Sequence, residues 1–360
     1  MKINKFKNNN KNTKIQNINS INSLTSIKNI TTNTHNIKKI LFIILIIIFV
    51  SYLIYFIYKK YKNIKSKETF DNEKIIIPDI IGGLGNQIFV IAAAFAYSKD
   101  NNYKLMLDNR KDVYSYGKPR QTYNETIFYN IPIYDNEKKD FINISENEYA
   151  SRINSNTYTN TNTNANTNTN IFLTGGYYQE AKYFNKYRNE LIQLLEPTNN
   201  TTNKVNEIFK QNNIDINNDF LVAIHIRLDD VYTPIDADKR VYDKDEYDLI
   251  IQKLPEHLKS NPNTKFIIFS NEIPRTKDIF KPAQIDHSRM IYIQSEDYIE
   301  LALMTKCNDY IVSPSTFIWW GIYLNKNPDK KIFIYWKQDS DYRKDFYTKY
   351  EYLKNNNIIK

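Results

Sequence analysis

The chain has 360 residues, of which 41% are hydrophobic and 14% aromatic, and its formal net charge is +9. This length and aromatic content suffice for two packed domains and exclude a chain that is disordered throughout. The lysines are spread along the sequence and do not form one basic stripe, so the charge does not indicate a nucleic-acid partner. Cys307 is the only cysteine, which excludes an intramolecular disulfide and a cysteine-cluster metal site.

The N-terminal segment divides into three parts. Residues 1–39 are polar and lack hydrophobic periodicity, which predicts a disordered tail. Residues 40–58 are uncharged and apolar, and at about 1.5 Å per residue they nearly span a bilayer core, which predicts a transmembrane helix. A charged stem, residues 59–74, follows. A cleaved signal peptide is the alternative, but the apolar run starts late and no small-residue cleavage site follows it.

The orientation of this helix is not fixed by its flanks. Lysines lie on both sides of the apolar run, so the positive-inside rule is divided between the two orientations. N-glycosylation sequons begin at Asn124, Asn143, Asn199 and Asn200, but a chain this rich in asparagine forms such triplets by chance.

Residues 75–215 are predicted to form the first half of the folded part. An apolar strand from Ile75 leads into a glycine turn, and an alanine-rich helix is predicted over Gln87–Ser98. Residues 155–170 alternate Asn and Thr, which predicts an expanded surface loop inserted in this half. A second helix is predicted up to Leu195, where Pro197 ends it.

Residues 216–345 show a regular alternation of short apolar strands and helical segments. This pattern predicts a parallel sheet with helices on both faces, and ligands of such sheets lie beyond the carboxyl ends of the strands. Residues 346–360 are interpreted as a C-terminal tail. The loops expected to carry function follow Ile226, Ser270, Gln294 and Ser313.

The first motif is the turn at residues 81–87, Ile-Gly-Gly-Leu-Gly-Asn-Gln. Glycines permit close approach of a ligand, and free amides at a helix N-terminus attract anions such as a sugar-diphosphate. A tight strand-to-helix turn without a ligand is an equally good interpretation, because the spacing matches neither G-x-G-x-x-G nor a P-loop.

The second motif is His225-Ile226-Arg227-Leu228-Asp229-Asp230, at the end of a predicted strand. His225 and Arg227 project to one side of that strand, and an arginine at its carboxyl edge is suited to bidentate contact with a phosphate. Asp230 follows closely enough to orient either residue. A strand-end ion pair beside a hydrogen-bonded histidine is the structural alternative.

The third motif, residues 313–321, reads Ser-Pro-Ser-Thr-Phe-Ile-Trp-Trp-Gly. Hydroxyl groups at a helix start cap the helix and can also hold a phosphate together with the first amides. Trp319 and Trp320 are expected to pack the helix against the sheet, which leaves Ser315 and Thr316 as the candidate ligands.

In this order the three motifs resemble the α-1,2-fucosyltransferase family, glycosyltransferase family 11, with its GGLGNQ-F, H-x-R-x-x-D and S-S/T-F-x-W-W-G segments. Residues 176–184 are similar to the family's GYFQ-x-x-x-YF segment, and residues 269–272 to its FSDD segment. The resemblance covers residues 76–336. It implies an α/β, GT-B-like fold of two Rossmann-like domains, here preceded by a single N-terminal transmembrane helix.

The resemblance also implies an activity. It is that of an inverting enzyme that transfers L-fucose from GDP-fucose to the 2-hydroxyl of a terminal galactose on a glycan, with no required metal ion. Membrane-bound members of the family are usually type II proteins, which implies a lumenal catalytic part in a Golgi/ER-type membrane.

By the same resemblance, Arg227 would contact the donor pyrophosphate and stabilise charge on the leaving GDP, with His225 and Asp230 shaping that site. The general base is not evident from the sequence, and Asp230 and Glu180 are candidates. The remaining residues implied to face the nucleotide are Gly83, Gly85, Asn86, Gln87, Ser315 and Thr316.

Three residues depart from the family pattern. Leu228 and Asp229 stand where the family commonly has Arg and Gly, and Asn271 stands where it usually has Asp. The loss of a second guanidinium and the gain of a carboxylate are expected to weaken pyrophosphate binding. Two alternatives therefore stay open: a related transferase that uses another nucleotide sugar, and a non-catalytic glycan-binding membrane protein.

Overall fold

The computed structural model describes residues 42–59, 73–115, 118–136, 141–154, 169–228, 244–312, 315–335 and 358–359. The chain divides into two compact units, Met1–Asn72 and Glu73–Lys360. The predicted tail, most of the stem, most of the Asn/Thr insertion and the pair Asp229 and Asp230 lie outside the described residues.

In the first unit, helix α1 covers Phe42–Lys59 and has a mean hydropathy of 2.4. Its large hydrophobic side chains are exposed on all sides of the helix. Within the described ranges it is the one helix long and apolar enough to cross a membrane.

The first half of the second unit is built around a four-stranded parallel sheet with the strand order β2-β1-β8-β7. Two short two-stranded sheets, β3-β6 and β4-β5, complete this half. The strands are β1 (Ile75–Pro78), β2 (Lys104–Leu105), β3 (Leu107–Asp108), β4 (Asp112–Ser115), β5 (Lys118–Gln121), β6 (Ile133–Tyr134), β7 (Phe141–Ser145) and β8 (Asn170–Thr174). The helices are α2 (Leu84–Asn101), α3 (Glu146–Asn154), α4 (Arg188–Leu194) and α5 (Asn199–Gln211).

Helix α2 is the central helix of this half. Fourteen of its residues, from Leu84 to Ser98, are buried around the helix, because alanines let neighbouring elements pack closely on several sides. It begins after Gly83, three residues before the predicted start. It ends at Asn102, which has the left-handed conformation (φ 58°) that asparagine tolerates at a helix C-terminus.

The second half contains a six-stranded sheet with the order β11-β10-β9-β12-β13-β14, in which every pair is parallel. In order of appearance within this half the strands are arranged 3-2-1-4-5-6, the doubly wound order of dinucleotide-binding folds. The strands are β9 (Phe220–Ile226), β10 (Thr264–Ser270), β11 (Met290–Ile293), β12 (Asp309–Val312), β13 (Ile332–Ile334) and β14 (Ile358–Ile359). The helices are α6 (Lys244–Ser260), α7 (Ile273–Phe280), α8 (Asp297–Met304) and α9 (Thr316–Leu324).

The α/β, GT-B-like prediction is confirmed by these two parallel sheets. The two halves belong to one compact unit, in which α2 packs on α9 and α5 packs on α8. Trp319 and Trp320 are buried and contact Phe89 of α2 and Phe184, so their predicted structural role is confirmed.

Two features differ from the sequence-based interpretation. Residues 199–211, for which no helix or strand was predicted, form α5, whose N-terminus is capped by the Thr198 side chain accepting from Thr201 N at 3.1 Å. Residues 358–359, placed in a C-terminal tail, pair with β13 and extend the large sheet. Both elements depend on contacts with residues distant in sequence: α5 packs on α8, and β14 pairs with β13.

Candidate active site

The candidate site lies where β9 and β12 end side by side. These neighbours are the first and fourth strands of the doubly wound order, and the place where that order reverses is where such sheets bind ligands, beyond the carboxyl edge. Arg227 directly follows β9, and the N-terminus of α9 follows β12 after a short connection. The second and third motifs therefore meet at the switch point of the sheet.

At the end of β9, His225 is buried and Arg227 is partly exposed. The His225 ring lies 6.0 Å from the Phe317 ring of α9, centroid to centroid. The next residue, Leu228, is buried, and its backbone N–H donates to Oδ1 of Asn271 at 2.8 Å. Asn271 follows β10, so the end of the neighbouring strand fixes the backbone that carries Arg227. Asp230 lies outside the described residues, and its role stays a prediction.

The N-terminus of α9 is formed by Ser315 and Thr316. Ser315 is the N-cap: its Oγ accepts from Phe317 N at 3.2 Å, and the residue is buried. Thr316 is partly exposed. Because the first amides of a helix carry partial positive charge, this end of α9 is suited to an anionic group.

The glycine turn reaches this site from the first half. Gly82 has φ +78°, which glycine adopts without strain, and the position of a Cβ on Gly83 would be open space. A Cβ on Gly85 would lie 2.7–2.8 Å from backbone atoms of Thr316 and Phe317. Gly85 is therefore required for the close contact between the start of α2 and the start of α9.

Asn86 and Gln87 have different surroundings. Asn86 is partly exposed and its Oδ1 accepts from Gln179 Nε2 at 2.8 Å, which joins the glycine turn to the residue 176–184 segment. Gln87 is fully buried, and its Nε2 donates to Gly82 O at 3.0 Å and Gln121 O at 2.8 Å. Gln87 holds the shape of the turn from inside, while Asn86 and Gly83 are the members of the turn that face outward.

Two groups of charged residues near the site were not identified from the sequence. At the first sheet, Arg110 pairs with Asp79 and Asp108. Burial opposes the charge of Arg110, but hydrogen bonds and charges from the two carboxylates outweigh it and raise its pKa. The sequence does indicate one member of this group, because Asp79 directly follows a buried strand.

The second group lies at the start of α8. Tyr123 of the first half donates to Oδ2 of Asp297 at 2.6 Å and so links the two halves. One turn further along, burial raises the pKa of Glu300 to about 7, with the charge of Asp297 adding to the effect, although a hydrogen bond from Ser295 N opposes it. Across the described residues, no three His, Cys, Asp or Glu side chains form a group suited to a metal ion.

Comparison with known proteins gives one family match. The family model for glycosyl transferase family 11 matches residues 80–359. An Escherichia coli alpha-1,2-colitosyltransferase is 26% identical over 284 residues, which is 72% of this chain and 90% of the relative. The Escherichia coli O-antigen biosynthesis glycosyltransferase WbnK is 25% identical over 160 residues, which is 43% of this chain and 51% of that relative.

Solved structures show a more distant likeness. The fucosyltransferase NodZ from Bradyrhizobium has a TM-score of 0.43 at 10% identity, covering 69% of this chain and 93% of its own. An Arabidopsis thaliana FUT1 mutant in complex with GDP has 0.45 at 13%, covering 75% and 72%. POFUT1 in complex with GDP has 0.42 at 11%, covering 73% and 98%. All three scores lie below 0.5, so the family assignment rests on the family match and on this chain's own motifs and topology.

The matched range contains all three motifs, the whole large sheet of the second half and every strand of the four-stranded sheet except β1. The chain therefore belongs to glycosyl transferase family 11, a family of sugar-transferring enzymes.

Proposed function

We propose that this chain is an inverting α-1,2-fucosyltransferase that moves L-fucose from GDP-fucose to the 2-hydroxyl of a terminal galactose on a glycan. The observation that carries the proposal is the meeting of three motifs from distant parts of the chain. Gly85 lies against Thr316 and Phe317, and Phe317 lies against His225, two residues before Arg227. Such convergence is expected if the three segments serve one ligand.

In this proposal the donor lies at the carboxyl edge of the large sheet. Arg227 contacts the pyrophosphate, and the α9 N-terminus with Ser315 and Thr316 supplies further donors to its oxygens. The open space at Gly83 allows the diphosphate to approach the backbone from the first half. These groups stabilise the negative charge that develops on GDP as the bond to the fucose C1 breaks, so the proposal requires no metal ion.

A second candidate is a related transferase that uses another nucleotide sugar. Leu228 is buried where the family commonly has a second arginine, so it places no charge on a diphosphate. The relative that matches 72% of this chain transfers a colitosyl group. Both observations favour testing other donors alongside GDP-fucose.

The donor experiment uses the purified full chain in detergent with GDP-fucose, other GDP-sugars, UDP-sugars and dTDP-sugars, each with a β-galactoside acceptor. We expect nucleotide release and a new α-1,2-linked product, detected by mass spectrometry and NMR, with GDP-fucose and with none of the other donors. A preference for another donor would favour the second candidate. A folded chain that releases nucleotide from none of these donors would favour the non-catalytic glycan-binding alternative.

We also propose that α1 anchors the chain as a type II protein with its catalytic part in the lumen of a Golgi/ER-type membrane. The support is the length and hydropathy of α1 together with the enzyme's use of glycan acceptors. Protease added to sealed vesicles is expected to spare residues 73–360, and digestion of that part would reverse the orientation.

A further inference from the structure

The carboxyl edge of the first sheet carries a carboxylate with an unusually well-defined position. Asp79 follows β1 directly, and its backbone N–H donates to Leu173 O of the neighbouring strand β8 at 2.7 Å. Thr174, the last residue of β8, donates from Oγ1 to Oδ2 of Asp79 at 3.2 Å. Two central strands thus hold Asp79 at their shared end.

Arg110 completes this arrangement. Its Nη2 lies 2.9 Å from Oδ1 of Asp79, and its Nε lies 2.7 Å from Oδ2 of Asp108. The Asp108 side chain is only 7% exposed, whereas that of Asp79 is 27% exposed. Asp108 therefore serves as the buried counter-ion, and Asp79 is the carboxylate of this group that a ligand can reach.

Asp79 lies next to the candidate site along the chain. Only two residues separate it from Gly82 of the glycine turn, and Gly85 of the same turn contacts the α9 N-terminus. In an inverting displacement the acceptor hydroxyl approaches C1 from the side opposite the leaving phosphate. If the second half holds the diphosphate, the edge of the first half is placed to supply the group that receives the hydroxyl proton.

We propose that Asp79 is the general base of the reaction, an inference that rests on the proposed function. The acceptor 2-hydroxyl oxygen forms a bond to the fucose C1 while the bond from C1 to the β-phosphate oxygen breaks. The electron pair of that bond leaves with GDP, and the hydroxyl proton passes to the Asp79 carboxylate and then to water. Each Asp79 oxygen accepts one hydrogen bond from the described residues and retains a lone pair for the hydroxyl.

Other carboxylates near the site fit this role less well. Glu180 forms an exposed ion pair with Lys182, so no second strand end fixes it. Asp297 belongs to the half that holds the donor in the proposed function, and it already accepts the Tyr123 hydroxyl. Within the described residues Asp79 combines access, fixed orientation and a place on the acceptor side.

The test compares the full-length variants Asp79→Asn, Glu180→Gln and Asp135→Asn. Asp79→Asn keeps a side-chain oxygen for Arg110, so the variant should fold, and its Kd for GDP should stay within about twofold of wild type. We expect its kcat to fall by about 100-fold or more, the usual scale of a lost general base. Asp135, an exposed carboxylate on the same half that accepts from Asn109 Nδ2 at 2.8 Å, is the matched control, and its replacement should leave kcat unchanged.

Arg110→Lys tests the positioning of the carboxylate. Lysine keeps the charge but cannot present two nitrogens to two carboxylates at once, so kcat should fall by about tenfold with the Kd for GDP unchanged. If Asp79→Asn does not fold, Asp79→Ala assayed with added formate replaces it, and recovery of product formation by formate is the expected result.

The outcomes separate the two claims. An active wild type whose Asp79→Asn variant keeps kcat within threefold overturns the role of Asp79 and leaves the proposed function standing. Loss in Glu180→Gln instead assigns the base to Glu180. A wild type that binds GDP but forms no fucoside with any β-galactoside overturns the proposed function and the base together.

Discussion

Arg227 is the residue on which donor recognition in the proposed function depends most. Replacement by alanine removes a charge that is aimed at the leaving diphosphate, and such losses lower kcat by about 100–1000-fold. Arg227→Lys should recover only part of that loss, because an ammonium group cannot make the bidentate contact. Kinetics of nucleotide release and GDP titration measure both effects.

The control for this experiment is Arg275→Ala, which replaces an exposed arginine on α7. It changes net charge by the same amount and should keep kcat within twofold of wild type. Equal losses in the two variants would mean that general charge, and not the position of Arg227, supports activity.

Asn271 fixes the backbone next to Arg227 through the hydrogen bond from Leu228 N. Asn271→Asp keeps an accepting oxygen, so stability should change by only a few tenths of a kcal/mol. Asn271→Ala leaves the Leu228 amide without this acceptor and should cost about 1–3 kcal/mol and lower kcat. Chemical denaturation and steady-state assays give both numbers, and equal behaviour of the two variants would contradict this role.

At the residue scale, sequence patterns identify groups that are close along the chain. His225, Arg227, Ser315 and Thr316 were all predicted from motifs, and in the structure they lie at the ends of the neighbouring strands β9 and β12. The pair of Asp79 and Arg110 was missed because 31 residues separate them, and only the fold brings them together. Gln87 was predicted to face the nucleotide, but no local pattern indicates that its side chain is directed inward.

At the scale of elements, the contact between α2 and α9 depends on Gly85. Alanine usually stabilises a helix relative to glycine, but here its Cβ would overlap the backbone of Thr316 and Phe317. Gly85→Ala is therefore expected to destabilise the chain by about 1–3 kcal/mol, the scale of an overpacked core. Thermal and denaturant unfolding of residues 73–360 would measure it.

Gly83→Ala is the matched comparison two residues earlier. Gly83 has φ −74°, and no atom lies within 4 Å of the added Cβ, so stability should be unchanged. If the donor diphosphate approaches here, the same variant should weaken GDP binding. A Gly85→Ala chain as stable as wild type would show that the two helices can separate without cost.

The strands of the second half were predictable because strands buried on both faces read as apolar runs between helical segments. Helix α5 was not, since six of its 13 residues are Asn or Thr and its buried face consists of only three positions, Thr201, Val205 and Phe209. Strand β14 has two residues, too few for any pattern, and its place is set by pairing with β13.

At the scale of the whole molecule, two buried groups make the stability of the folded chain depend on pH, and their effects have opposite signs. Burial lowers the pKa of His257 to about 4, so between about 4 and 6.5 the unfolded chain binds a proton that the folded chain does not. Stability therefore rises with pH in that window. Burial raises the pKa of Glu300 to about 7, so between about 4.5 and 7 the folded chain holds the extra proton and stability falls as pH rises.

These slopes overlap between about pH 4.5 and 6.5, and each corresponds to about 3 kcal/mol over its full window, so their sum should be nearly flat. Glu300→Gln keeps an acceptor for Ser295 N but cannot ionise, so the variant should gain stability as pH rises from 5 to 7 and exceed wild type at pH 7. His257→Gln removes the opposite slope, so that variant should lose stability over the same range. Denaturant unfolding of residues 73–360 at pH 5, 6 and 7 measures how the free energy of unfolding changes with pH. The His257 ring also packs edge-on against the Phe333 ring at 4.4 Å, so His257→Gln lowers stability at every pH. The change in stability with pH, and not that constant loss, is therefore the quantity to compare. Parallel pH profiles for both variants and wild type would show that neither group titrates differently in the folded chain.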